Sequence, residues 1–303
     1  MDISSLEAFI AVAQSGSFSR ASEQLNLTQP AVSKRVAGLE SELGVQLFNR
    51  IARQISLTEA GKQLLPKASE LLEQANELTL TMSNLSNEVR GNLSIAIAHH
   101  IGLHRMPPFL RRFHQLYPQV HLDIHFEDSD QAYLELVKGD IEFAIITLPQ
   151  TLPEHLSQRV LWKDKLYPVA GRESVLASWD NVDVMGLATF PCVLPSTDTE
   201  THQILKRTFD SYGLELDVQM TTNNLETLKM LAVAGIGWSM LPETMLDDSL
   251  VVIDIDQPLY RELGVVFHTK RSFSNAGSAL LRLLEEPEQF NAKTNQLSAA
   301  HLI

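Results

Sequence analysis

Six of the ten histidines fall between residues 99 and 125: His99, His100, His104, His114, His121 and His125. Imidazole is a common ligand for zinc, nickel and copper, so the cluster raises metal sensing. The spacing offers a plainer alternative. His121, Asp123 and His125 alternate with Leu122, Ile124 and Phe126, the pattern of an edge strand with one wet face. His99 and His100 also suit an anionic ligand. The single cysteine, Cys192, raises a redox switch, yet it stands in the apolar run Phe190-Pro191-Cys192-Val193-Leu194, where a cysteine usually packs. No Gly-x-Ser-x-Gly elbow, Walker phosphate loop or His-Glu-x-x-His motif occurs, so no catalytic residue, cofactor or resident metal is expected.

A different chemistry is written near the N-terminus. Gln29, Pro30, Ser33, Lys34 and Ala37 share one side of a helix whose other side carries Val32, Val36, Leu39 and Leu43. Small and hydrogen-bonding groups on one face suit entry into a major groove; an ordinary solvated face is the alternative. Arg50 and Arg53 lie between two short extended runs, as on a wing touching phosphates.

The elements that position these groups can be read from periodicity. Leu6, Phe9, Ile10 and Ala13 predict a first helix stopped by Gly16. Ser17-Phe18-Ser19 opens a second, Asn26 suits a tight left-handed turn, and Thr28 with Pro30 starts the third. That order is a helix-turn-helix. Leu64, Ala68, Leu71, Ala75, Leu78, Met82, Leu85 and Val89 then alternate spacings of four and three, a seam that favours pairing of two chains over packing on its own domain. Pro66 should kink this helix or shift its start, and Arg90-Gly91 should end it. Beyond Gly91, strand and helix patterns alternate in two sets, with strands expected at 92–98, 120–126, 141–146, 166–170, 192–194, 218–221, 250–253 and 263–267. They predict mostly parallel sheets in two lobes facing a cleft.

Composition sets bounds on this reading. The 303 residues suit two or three domains, and 44% hydrophobic with 20% charged residues argues against wholesale disorder. The longest apolar runs fall far short of the ~20 residues of a membrane span, and Asp2 and Glu7 do not resemble an export signal, so a cytoplasmic protein without a membrane partner is expected. A net charge of −13 speaks against DNA, but Arg20, Lys34, Arg35, Arg50 and Arg53 outnumber Glu23, Glu40 and Glu42 between residues 20 and 53. A DNA contact needs only a local basic face.

The stretch from Phe18-Ser19-Arg20-Ala21 through Leu27-Thr28-Gln29-Pro30-Ala31-Val32-Ser33 resembles the helix-turn-helix of the LysR-type transcriptional regulators. Leu39-Glu40, Leu47-Phe48-Asn49-Arg50 and Leu57-Thr58-Glu59-Ala60-Gly61 extend the likeness. Phe113 with Tyr117-Pro118, Gly139-Asp140-Ile141-Glu142, Gly235-Ile236-Gly237 and Leu241-Pro242 resemble the family's effector domain. The resemblance implies a winged helix-turn-helix, a long linker helix, and an α/β effector domain of two Rossmann-like lobes, periplasmic-binding-protein-like of type 2. It implies double-stranded promoter DNA as partner, dimers that pair into a homotetramer, and a small-molecule effector, here expected to be anionic, that modulates binding or bending. Gln29, Pro30, Ser33 and Lys34 would face the major groove; Thr28 would cap the third helix beside a phosphate; Arg50, Arg53, Ser19 and Arg20 would meet the backbone.

Domains are accordingly expected at 1–58 (DNA-binding), 59–90 (dimerising linker) and 91–286 (effector-binding), with a mobile tail at 287–303. Lobe I would take 91–161 and 268–286, and lobe II 162–267. Loops that follow strands would supply the effector site: His99, His100, Ile101, Ser129, Thr147, Ser196, Thr197 and Asn223. Trp238 would either wall the cleft or belong to the core. A solute-binding protein would share the lobes but not the N-terminal motif.

Overall fold

A computed structural model describes residues 2–51, 54–86, 88–179, 182–255 and 257–285. The tail expected from residue 287 and the wing residue Arg53 lie outside the described residues, as does the side chain of Arg50. One compact unit runs to Ser86 and a second follows it.

In the first unit, α1 (Ile3–Ser15) is capped by Asp2, whose Oδ1 accepts the Ser5 N–H at 2.8 Å, and is stopped by Gly16 at φ 63°. Then come α2 (Phe18–Gln24), a turn with Asn26 at φ 51°, and α3 (Gln29–Leu43). Val32, Val36 and Leu39 are buried against Phe9, Val12, Phe18 and Ala21. Leu43 is not: it is 40% exposed, because α3 outruns the core beneath it. Thr28 has the extended backbone of a cap residue, but its hydroxyl makes no cap bond. The strands β1 (Phe48–Ile51) and β2 (Gln54–Leu57) pair antiparallel as a wing. Buried Glu40 ties that wing to α3, its Oε1 accepting N–H groups of Leu47 at 2.7 Å and Phe48 at 3.3 Å.

Helix α4 (Glu59–Asn84) starts where Thr58 Oγ1 accepts the Gly61 N–H at 3.0 Å and donates to the Gln46 carbonyl at 2.7 Å. Gly61 is required there, since a Cβ would collide with the Leu47 carbonyl. The helix continues through Pro66, so its start is not displaced. It also ends earlier than the seam predicts. Asn84 and Ser86, poor helix formers, bracket a turn at Leu85, and Val89 packs on the core of the second unit. Nor is the seam of one kind: Ala68 is fully buried and Leu64 partly so in the first unit's own core, whereas Leu71, Leu78, Met82 and Leu85 are 45%, 63%, 54% and 73% exposed.

The second unit contains β3 (Gly91–Ala98), α5 (His99–His104), α6 (Pro107–Leu116), β4 (Val120–Glu127), α7 (Ser129–Lys138), β5 (Phe143–Thr147) and β6 (Leu156–Gly171). It continues with α8 (Val184–Leu187), β7 (Cys192–Leu194), α9 (Glu200–Ser211), β8 (Val218–Thr221), α10 (Leu225–Val233), β9 (Ser239–Pro242), β10 (Leu250–Val252), β11 (Leu259–His268) and α11 (Asn275–Glu285). The parallel pairs β3–β4, β3–β5 and β7–β8 fit the expected α/β lobes. The expectation of mostly parallel pairing needs correction, because β6 and β11 are long antiparallel strands that run from one lobe into the other. Their polar middles, Lys163-Asp164-Lys165 and Tyr260-Arg261-Glu262, conceal that length in an apolar pattern.

Lobe I packs Ile95, Phe113, Phe143 and Leu280 in one core, and lobe II packs Leu166, Leu205, Phe209 and Trp238 in another. Leu263, Val265 and Val266 belong to the lobe I core and Leu259 to lobe II. The second crossing therefore falls near residues 259–263, earlier than the expected 267. Among the described residues no helix is long and apolar enough to cross a membrane.

Candidate functional site

The first unit presents Ser19, Arg20, Thr28, Gln29, Pro30, Lys34 and Ala37 to solvent, while Ser33 is half-buried. Pro30 in the first turn of α3 lacks an N–H that would have no partner, and Thr28 holds its hydroxyl out beside the helix start. The exposed end of α3 thus carries an amide, hydroxyls and a cation with no apolar side chain among them except Pro30 and Ala37. Such a surface can offer hydrogen bonds to base edges and phosphates.

The second unit has a cavity of about 350 Å³ between its lobes. The ends of β3 and β5 and the starts of α7, α9 and α10 surround it. His99, His100, Ser129, Thr147 and Asn223 line it, as the loop argument expects. Four other expected residues do not. Ile101 is fully buried in the lobe I core, because the first turn of α5 rotates it inward. Trp238 is 2% exposed in the lobe II core, stacked on Phe209 and donating Nε1–H to the Phe190 carbonyl at 3.2 Å. Ser196 and Thr197 form the turn before α9: the Ser196 N–H donates to Asn223 Oδ1 at 3.0 Å and the Thr197 carbonyl accepts from Gln203 at 2.6 Å. Their neighbours Pro195, Asp198 and Thr199 face the cavity instead.

The inner wall is made by residues that the sequence does not flag. Arg261 is 4% exposed; its Nε donates to Asp164 Oδ2 at 2.9 Å and its Nη1 to Thr201 Oγ1 at 3.0 Å. Arg105 Nη2 donates to the other oxygen of Asp164 at 2.6 Å. Two guanidiniums share one carboxylate. His100 Nε2 is buried nearby with no hydrogen-bond partner. Burial, then the charge of Arg261, holds its imidazole well below the usual histidine range, so the ring is neutral. The rim is acidic: Glu127, Asp128, Asp130 and Asp198 line it. Partial burial, then the charge of Asp198, raises the Asp130 carboxyl above its ordinary value. This rim argues against the purely anionic ligand expected from the histidine pair. The pairing of Asp130 with Asp198 could not be read from sequence, because the two are 68 positions apart and meet only when the lobes face each other. His104 adds a link between lobes, with Nε2 2.9 Å from Glu226 Oε1.

His125 and Cys192 have structural settings of their own. His125 Nδ1 lies 2.7 Å from Glu135 Oε2, and its strand β4 ends the order of the large sheet. Among the described residues no three His, Cys, Asp or Glu side chains gather as a metal site would require. Cys192 is buried and its thiol is pushed up to about 12 by desolvation, which leaves almost no thiolate.

A winged helix-turn-helix joined to a two-lobed α/β domain with a cleft is a ligand-binding DNA regulator in architecture. Residues 3–62 match the bacterial regulatory helix-turn-helix protein, lysR family, and residues 86–287 match the LysR substrate binding domain. The chain belongs to the LysR family of helix-turn-helix transcriptional regulators, which are not enzymes. It is 30% identical to the uncharacterized HTH-type transcriptional regulator YeiE of Escherichia coli over 277 residues, 89% of this chain and 92% of that protein. Among solved structures it is similar to a full-length OxyR variant from Pseudomonas aeruginosa, with a TM-score of 0.67, 22% identity and 94% of each chain covered. It is also similar to full-length CbnR complexed with target DNA, with a TM-score of 0.62, 21% identity, and 96% of this chain and 100% of that chain covered.

Proposed function

We propose that this regulator works in the cytoplasm as a self-associated, effector-controlled promoter binder. Helix α3 enters the major groove through Gln29, Pro30, Ser33 and Lys34. Thr28, Ser19, Arg20, Arg50 and Arg53 meet phosphates. Leu71, Ala75, Leu78 and Met82 on α4 join two chains, and dimers pair into tetramers. A small molecule bound between the lobes shifts the equilibrium between two arrangements of the assembly, which requires different affinity for the two states.

The observation that carries the effector reading is the interlobe cavity with His100 Nε2 buried and unpartnered on its wall. A buried polar atom without a partner is costly unless a ligand or water satisfies it. The test is DNase footprinting on the gene's own promoter with metabolites added, for wild type and Thr147→Trp. A metabolite-dependent footprint that Thr147→Trp abolishes supports the reading. A response that survives a filled cleft places the effector elsewhere.

A further inference from the structure

The cleft is electrically two-ended. Its deep wall holds Arg261 and, behind it, Arg105 against the single carboxylate of Asp164, which leaves one positive charge uncompensated. Arg261 Nη2 also lies 2.9 Å from Asp164 Oδ2, the oxygen that already accepts from Nε, and makes no hydrogen bond of its own. His100 Nε2 is a second such atom, a donor in the Nε2–H tautomer and an acceptor in the other. The starts of α9 and α10 add the positive ends of two helix dipoles. An acceptor group with negative charge satisfies this wall.

The rim has the opposite demand. Asp128, Asp130 and Asp198 are exposed around the mouth, Glu127 is half-buried beside them, and Lys and Arg are missing from the cavity lining apart from Arg261. Asp130 on α7 in lobe I and Asp198 before α9 in lobe II meet across the opening, where the repulsion of their charges and a hydrogen bond between the two carboxyls both raise Asp130. A cation between them converts that repulsion into two attractions and draws the lobes together. The fifth carboxylate of the lining, Glu200, already has a cation, Arg207 Nη2 at 2.7 Å.

We propose that the cleft takes a zwitterionic metabolite, an amino acid or close derivative, with its ammonium between Asp130 and Asp198 and its carboxylate against Arg261 and His100. This rests on the effector-cleft reading above and adds the chemical class. A simple anion meets a repelling rim, and a simple polyamine leaves the donors of the deep wall unsatisfied. Closure follows from the same geometry, because Asp130 and Asp198 belong to different lobes.

The test is calorimetric titration of the full chain with the standard L-amino acids. Each binder is compared with its deaminated and decarboxylated twins; for alanine these are propionate and ethylamine. The expected result is binding of at least one amino acid, with either twin weaker by about tenfold or more, as for loss of a charge-assisted hydrogen bond. Asp198→Asn should weaken the amino acid by a similar factor and leave the deaminated twin unchanged or tighter. Absence of any amino-acid binder overturns the proposal. So does a deaminated twin that binds as tightly as its parent, or Mg²⁺ alone binding at the rim in competition with the amino acid. Amino-acid binding that persists undiminished in Thr147→Trp overturns instead the placement in the cleft, which separates the two failures.

Discussion

Asp164 and Arg261 sit opposite each other in the register of the two strands that join the lobes, 1% and 4% exposed, with Arg261 Nε 2.9 Å from Asp164 Oδ2. The pair lies where the chain crosses between cores, so it fixes the hinge and the deep wall of the cleft at once. Burial of two charges is costly, and their attraction offsets this only while both are present. Desolvation is the largest influence on Arg261 and lowers its pKa, with Asp164 opposing it.

Removing one partner should therefore be worse than removing both. Asp164→Ala leaves Arg105 and Arg261 without their shared carboxylate and should destabilise the second unit by about 3–5 kcal/mol. Asp164→Leu combined with Arg261→Met should recover most of that loss. Urea denaturation of the three proteins checks this; equal losses in the single and double variants would contradict it.

DNA readout should divide by residue type. Gln29→Ala and Ser33→Ala should each weaken specific binding by about 1–3 kcal/mol with little effect on random DNA. Arg50→Ala and Arg53→Ala should weaken both and reduce the salt dependence. Fluorescence anisotropy over a salt series measures both quantities. Equal losses on specific and random DNA for Gln29→Ala would remove it from the groove.

The two halves of the α4 seam should respond differently. Leu71→Glu with Leu78→Glu should split the self-association and abolish palindrome binding while the chain stays folded, because both side chains are exposed in the single chain. Ala68→Glu should instead unfold the first unit, since it places a charge in that unit's core. Sedimentation and circular dichroism distinguish these; an unchanged oligomer in the double variant would discard α4 as the dimer contact.

His125 should make stability depend on pH. The hydrogen bond that His125 donates to Glu135 raises its pKa from the ordinary 6.5, with the charges of Glu135 and Asp123 adding to it and desolvation opposing. A raised folded pKa means the contribution is complete below 6.5 and is lost as pH rises through the folded value. Wild type should therefore lose more stability than Glu135→Gln as pH rises from 6.5 through the folded value. NMR titration of the His125 ring should show the Glu135→Gln pKa moving down; no movement would refute the assignment.

Local pattern and turn chemistry determined much of this protein. The helix-turn-helix follows from Gly16, Asn26 and Pro30 at their required positions and from the stripe of Val32, Val36 and Leu39, all of which act within a few residues. Five of the expected cleft residues, His99, His100, Ser129, Thr147 and Asn223, were legible because strand ends in α/β lobes face their ligand edge. Only the tertiary structure decided the rest. Heptad spacing could not tell that Ala68 packs inside its own unit while Leu78 faces out, because periodicity reports a face and not its partner. Nor could it find Arg261, whose place on the deep wall depends on Asp164 97 residues away. The meeting of Asp130 with Asp198 likewise exists only where the lobes face each other. Charges remote in sequence acquire their meaning from burial and proximity, and those are set by the fold.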